Sequence, residues 1–156
     1  MASELPSMIL KAIGIVRSEI RQPTRRDCKE IVSDIVIDSS LTEALDGLDD
    51  FSHIIVLYWM HQATTGGQQV TKVHPMGRKE LPLLGLFATR APNRPNRIGI
   101  ATVRLLERQG NILRIEGLDA IEGTPVIDIK PYIPGYDLEN EAKVPSWLGK
   151  RKAKNC

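Results

Sequence analysis

The chain has 156 residues, of which 42% are hydrophobic, enough to build one compact domain around a single core without a disulfide framework. No stretch approaches the ~18 uninterrupted apolar residues of a membrane span, and Met1 to Ser7 lacks the basic-then-apolar order of an export signal, so a cytoplasmic protein with no membrane partner is expected. A formal charge of +2 and two distant cysteines, Cys28 and Cys156, exclude neither a polyanion partner nor an enzyme, but suggest no metal knuckle and no staple.

Ile9, Leu10, Ile13, Ile15 and Val16 form an apolar run broken by Gly14, read as a first strand ending near Arg17. Glu19 to Glu30, with Pro23 and the basic residues Arg25, Arg26 and Lys29, is read as an exposed connection. Ile31 to Asp38 alternates as a second strand. Ser40 and Glu43 match a capping box, and Leu41, Ala44, Leu45 and Leu48 follow helical spacing, so one short helix is expected there. His53 to Met60 is apolar on both faces, as a central strand covered on both sides would be.

Residues His61 to Glu80 read as a long polar loop, and Gly85 to Ala88 as a resumed strand. Ile98 to Glu107, a Gln109-Gly110-Asn111 turn and Ile112 to Leu118 read as a hairpin, and Val126 to Ile129 as one more strand. Many short strands favour an antiparallel barrel or sandwich, and closing a barrel removes exposed edges. Beyond Lys130 the chain is rich in proline and glycine, an extended appendage with Tyr136 and Trp147 as anchors on the body or on a partner subunit.

Charge is unevenly distributed. Leu81 to Leu106 contains no Asp or Glu but holds Arg90, Arg94, Arg97 and Arg104, while Lys150, Arg151, Lys152 and Lys154 end the chain as either a solvated tail or an RNA arm. In FATRAPNRPNRIG, Phe87 to Gly99, Pro92 and Pro95 stiffen the loop. Its arginines are either a solvated turn or a preorganised fork for carboxylate or phosphate oxygens. In LDAIEGTPVIDIKPY, Leu118 to Tyr132, the carboxylates Asp119, Glu122 and Asp128 interrupt an apolar hairpin and need partners. Asp119 and Glu122 either cap a turn or accept hydrogen bonds from a ribose diol. His61 and Gln62 follow the apolar strand where a binding loop would begin, and His53, His61 and His74 make no metal site. No phosphate-binding glycine loop of the usual kinds is present.

Taken in order, IGIVRS at Ile13 to Ser18, FSHIIVLYW at Phe51 to Trp59, FATRAPNRPNRIG and LDAIEGTPVIDIKPY resemble the TrmO family, also called TsaA-like or YaeB-like proteins. The resemblance spans most of residues 9 to 137 and implies a mainly β protein. Its fold would be a small closed antiparallel β-barrel over residues 1–137, with one short helix and an extended C-terminal appendage and basic tail over 138–156. It further implies a homodimer with the site near the subunit interface, S-adenosylmethionine as cofactor, and methylation of N6 of threonylcarbamoyl-adenosine beside the tRNA anticodon.

Carried over by residue, the resemblance implies cofactor contacts at His61, Gln62, Arg90, Ile100 and the turn Asp119, Ala120, Ile121 and Glu122. It leaves Arg94, Asn96, Arg97 and Lys130 as candidates for RNA, and Asp128 and Tyr132 as catalytic candidates. Two departures stand out. The family's Pro-Arg-Gln segment in the first loop has competing matches here, Arg21-Gln22-Pro23 or Arg25-Arg26, and Arg97 stands where the family usually has proline. Since the sulfonium methyl is already electrophilic, the protein's task is to align the attacking nitrogen at about 3 to 3.5 Å, with Asp128 receiving its proton. A methyltransferase for small molecules and a non-catalytic binding module are the alternatives.

Overall fold

The computed structural model describes residues 4–22, 28–63 and 66–148. The basic tail from Lys150 and the Arg25-Arg26 alternative lie outside the described residues. The strands are β1 (Gly14–Arg17), β2 (Val32–Ile37), β3 (His53–Trp59), β4 (Lys72–Val73), β5 (Leu84–Gly85), β6 (Ile98–Gln109), β7 (Ile112–Glu116) and β8 (Pro125–Pro131). Six of them close into an antiparallel barrel in the order β1-β2-β7-β6-β3-β8, and β4 pairs with β5 in a separate ribbon. The lumen is solid. Val16, Ile35, Ile37, Ile54, Val56, Val103, Leu113, Ile115 and Val126 fill it by two-residue alternation, and Leu118 and Ala120 join the same cluster.

Register assigns every loop to one of two mouths. Trp59 at the end of β3 faces Ile98 at the start of β6, and Arg17 at the end of β1 faces Asp34 near the start of β2. The connections after β1, β3 and β7 therefore gather at one end, here the upper mouth. The β2–β3 connection, the β6–β7 turn and the exit of β8 lie at the lower mouth.

Four local expectations are corrected. The first strand begins at Gly14, not Ile9, because β1 runs out of partner just before Ile13, whose N–H bonds Val126 O and whose carbonyl accepts from Asp38 N, both at 2.8 Å; Ile9 is 99% exposed. The short helix is a 3-10 helix, Ser39–Leu45, and its cap is Asp38, whose carboxylate takes Ser40 N at 2.9 Å and Ser40 Oγ at 2.6 Å. Its tighter winding has a visible cause: Asp46 N bonds Glu43 O, while the Thr42 and Leu45 carbonyls accept from Arg108 at 3.2 and 3.0 Å. Gly85 to Ala88 is not a strand, since only Leu84 and Gly85 pair with β4 before a 3-10 turn at Leu86–Ala88. In the appendage, Pro134–Asp137 makes one helical turn that leaves Tyr136 85% exposed, so Tyr136 is no anchor on the body, whereas Trp147 is half-buried.

Arg108 joins the 3-10 segment to the barrel. Only 15% exposed, its side chain also donates to Gly110 O at 3.0 Å and pairs with Asp46 at 3.0 Å and Asp49 at 3.5 Å. Arg108→Ala would remove these donors and is expected to cost about 1–3 kcal/mol, measured by denaturant unfolding. Because Arg108 lies at the lower mouth, ligand binding at the upper mouth is expected to persist in the folded variant.

Candidate functional site

The alternation that sends Ile54 and Val56 into the lumen sends Tyr58 there too, at the upper mouth. Tyr58 faces Gly99 on β6 and Val126 on β8. A Cβ on Gly99 would stand 2.5 Å from the phenol ring, so only glycine lets the ring lie across β6. Burial, then the negative charge of Asp119, pushes the phenol above its ordinary value, with Arg90 pulling the other way. Tyr58 therefore remains a protonated donor at neutral pH.

Asp119 comes from the connection between β7 and β8, which the chain holds by its backbone. Gly123, at φ 78°, gives its amide to Val16 O at 2.8 Å, and Glu122 N bonds Ile20 O at 2.7 Å. The Glu122 carboxylate accepts from Ser18 N at 2.6 Å, Ala120 packs into the core, and Ile121 O takes Thr124 Oγ1 at 2.7 Å. Asp119 is thus the residue of this turn whose polar group is uncommitted: it makes no hydrogen bond or ion pair among the described residues. Burial raises its carboxyl above the usual range.

His61 and Gln62 sit in the turn that leaves β3. Met60 N bonds Arg97 O at 2.8 Å, His61 N bonds Trp59 O at 2.8 Å, and Ala63 N bonds Met60 O at 3.1 Å. Gln62 is exposed, while His61 Nδ1 is buried without a hydrogen-bond partner among the described residues. The arginines divide by role. Arg94 lies 5.7 Å over Phe87 and donates to Thr89 O at 2.9 Å and Ala91 O at 3.1 Å. Arg97 lies 5.3 Å over Trp59 and donates to Ala63 O. Arg90 is exposed and makes no hydrogen bond or ion pair among the described residues. An unpaired guanidinium, a raised carboxyl, a protonated phenol and an orphaned imidazole nitrogen at one mouth fit a ligand that brings an acidic group together with hydroxyls.

Other candidates stand apart. Ile100 is 52% exposed on the outer face of β6, and Asn96 is exposed with its carbonyl taken by Ile98 N at 2.8 Å. Asp128 pairs with Lys130 at 2.9 Å and lines a lower-mouth groove with Ile13, Leu41, Leu48 and Phe51. Tyr132 N bonds His53 O at 3.1 Å, at the far end of β3 from His61. Within this chain, Tyr132 therefore does not meet Asp119 or Arg90. Tyr58 went unnoticed in the sequence, although its inward phase on β3 opposite a glycine was the available signal. Among the described residues no cluster of His, Cys, Asp or Glu could hold a metal, and no helix is long and apolar enough to cross a membrane.

A closed antiparallel barrel with a polar, underpaired mouth defines the class: a β-barrel ligand-binding domain without a dinucleotide-type sheet. The chain belongs to the TrmO family, since the family model for the tRNA-methyltransferase O N-terminal domain matches residues 17–138. A probable S-adenosyl-L-methionine-binding protein of Pyrococcus abyssi is 41% identical over 152 residues, covering 94% of this chain and 79% of that protein. The tRNA (adenine(37)-N6)-methyltransferase of Escherichia coli is 35% identical over 141 residues, covering 83% of this chain and 60% of the enzyme. The crystal structure of TrmO from Pseudomonas aeruginosa superposes with a TM-score of 0.71 at 32% identity, covering 88% of this chain. This chain spans 62% of the length of that solved chain.

The raised Asp119 carboxyl sets a pH prediction. A carboxyl that holds its proton more tightly in the folded state contributes stability below its ordinary value of 3.8 and loses it as pH rises through the folded value. Asp119→Asn is therefore expected to raise the melting temperature of the ligand-free protein at neutral pH, with the gain shrinking toward pH 3.8. Thermal unfolding across that range checks it.

Proposed function

We propose that this chain is an S-adenosylmethionine-dependent methyltransferase that modifies N6 of the adenosine beside the tRNA anticodon, with threonylcarbamoyl-adenosine as the acceptor. The observation that carries the reading is the meeting of Asp119 and Arg90 at Tyr58, at the barrel mouth where the turn of His61 also lies. It is supported by relatives named as S-adenosyl-L-methionine-binding proteins and as a tRNA methyltransferase. Asp119 would accept hydrogen bonds from the cofactor's ribose hydroxyls, and Arg90 would hold its carboxylate. When bound, the cofactor supplies a methyl group on a sulfonium, already electrophilic. What the protein adds is alignment: the stiff barrel fixes the mouth residues, and the protonated Tyr58 hydroxyl offers a donor that orients what sits above it.

Charge favours the upper mouth for RNA. The lower-mouth segment exposes Asp38, Glu43, Asp46, Asp49 and Asp50, while Arg17, Arg21, Lys72 and Arg90 are exposed on upper-mouth elements. A polyanion is repelled from one end and drawn to the other. A homodimer in the cytoplasm belongs to the same reading: Ile98 and Ile100 leave an exposed apolar pair on the outer face at the start of β6 for a second copy to cover. Asp128 and Tyr132, if catalytic, would then have to come from that copy. One observation favours a small-molecule acceptor instead. Arg94 and Arg97 spend donors on carbonyls of their own chain, which reduces the cation array available to phosphates.

Calorimetric titration with S-adenosylmethionine followed by labelled methyl transfer to threonylcarbamoylated and unmodified tRNA decides between them. Saturable binding is expected, with label entering only the threonylcarbamoylated tRNA. Arg90→Ala is expected to weaken cofactor binding about tenfold or more, 1.4 kcal/mol. Cofactor binding with no label in either tRNA would transfer the case to a small-molecule acceptor, and no binding would sink the reading.

A further inference from the structure

Arg97 occupies a place that its charge alone does not explain. It precedes β6, in a stretch without carboxylates, where an RNA contact would be the simple interpretation. Its geometry is directed inward instead. The backbone carbonyl of Arg97 accepts from Met60 N at 2.8 Å, its guanidinium lies 5.3 Å over the Trp59 ring, and the same guanidinium donates to Ala63 O. One residue thus grips the turn at its first, second and last positions, 59, 60 and 63. Between those grips stand His61 and Gln62. No hydrogen bond among the described residues orients the His61 ring from Nδ1, so its direction follows from the backbone that carries it.

We propose that Arg97 is a positioning residue: it latches the Trp59–Ala63 turn to the arginine loop and so presets His61 and Gln62 for the cofactor, rather than contacting RNA. The latch rests on the reading that the upper mouth holds S-adenosylmethionine. A planar guanidinium suits it because the flat group stacks on the indole while its edge donates to a carbonyl, a combination that an ammonium reproduces only in part. Without it, the turn keeps its own bonds from His61 N to Trp59 O and from Ala63 N to Met60 O, so the barrel survives while the turn loosens.

The test uses the full chain with Trp147→Phe, which leaves Trp59 as its sole tryptophan, and compares Arg97 with Arg97→Gln and Arg97→Lys. In Arg97→Gln the latch predicts a changed Trp59 emission and easier acrylamide quenching without any ligand. It also predicts affinity for S-adenosylmethionine reduced about fivefold and a melting temperature little altered. Arg97→Lys is expected to recover part of both signals. The slope of tRNA affinity against salt is expected to stay the same in all three. Unchanged Trp59 signals and cofactor affinity in Arg97→Gln would overturn the proposal, as would intact cofactor affinity with a salt slope lower by about one, which marks a phosphate contact. If Arg97→Gln does not fold, Arg97→Lys is judged by the same criteria. Should the unsubstituted chain not bind S-adenosylmethionine, the function reading falls, while the Trp59 signals still decide whether the latch exists.

Discussion

The seam between β1 and β8 closes the ring, and it is short: only Gly14 with Val126 and Ile15 with Pro125 pair across it. Backbone bonds just outside those pairs extend it, from Ile13 N to Val126 O at 2.8 Å, Val16 N to Thr124 O at 2.9 Å and Gly123 N to Val16 O at 2.8 Å. A barrel abolishes its edges only if this last pairing forms. The turn that completes the seam is the one that carries Asp119 to Glu122, so closure of the fold and assembly of the mouth are one event. The Glu122 bond to Ser18 N ties the first loop into that same closure.

From this seam follows an energetic compromise. The lumen beneath the mouth is filled by aliphatic side chains, most of them β-branched, yet Asp119 is left half-buried without a partner among the described residues, with its ionised form disfavoured. A chain selected for stability alone would place a neutral residue there. Uncompensated groups of this kind cluster where a ligand completes the hydrogen bonding, and Asp119 and Arg90, both close enough for their charges to act on the Tyr58 phenol, make the cluster a site rather than an isolated defect.

Arginine serves this protein as mortar as often as bait. Arg108 binds the lower-mouth 3-10 segment through its carbonyls, Arg94 knits its own loop, and Arg97 ties one loop to another. Each uses the planar fork of donors on backbone oxygens. Arg90 differs in making no such bond among the described residues. A count of cations in the 81–106 stretch therefore overstates the number of guanidinium groups left without an internal partner among the described residues.

What the sequence determined by itself were the local periodicities and the order of motifs. Alternation over Ile31 to Asp38, the apolar run from His53 and the Gln109-Gly110-Asn111 turn recorded β2, β3 and the β6–β7 hairpin nearly to the residue, because a buried strand writes its two-residue phase into the choice of side chains. The ordered blocks likewise carried the family. Tertiary structure alone decided where β1 begins, since a strand needs a partner, and how tightly the 3-10 segment winds, since Arg108 arrives from more than sixty residues away, 66 from Thr42. It alone separated Arg90 from Arg94 and Arg97, and brought Tyr58 to Asp119. Whether a polar group is free or spent depends on which distant carbonyl or carboxylate the folded chain places beside it, and no local pattern contains that distance.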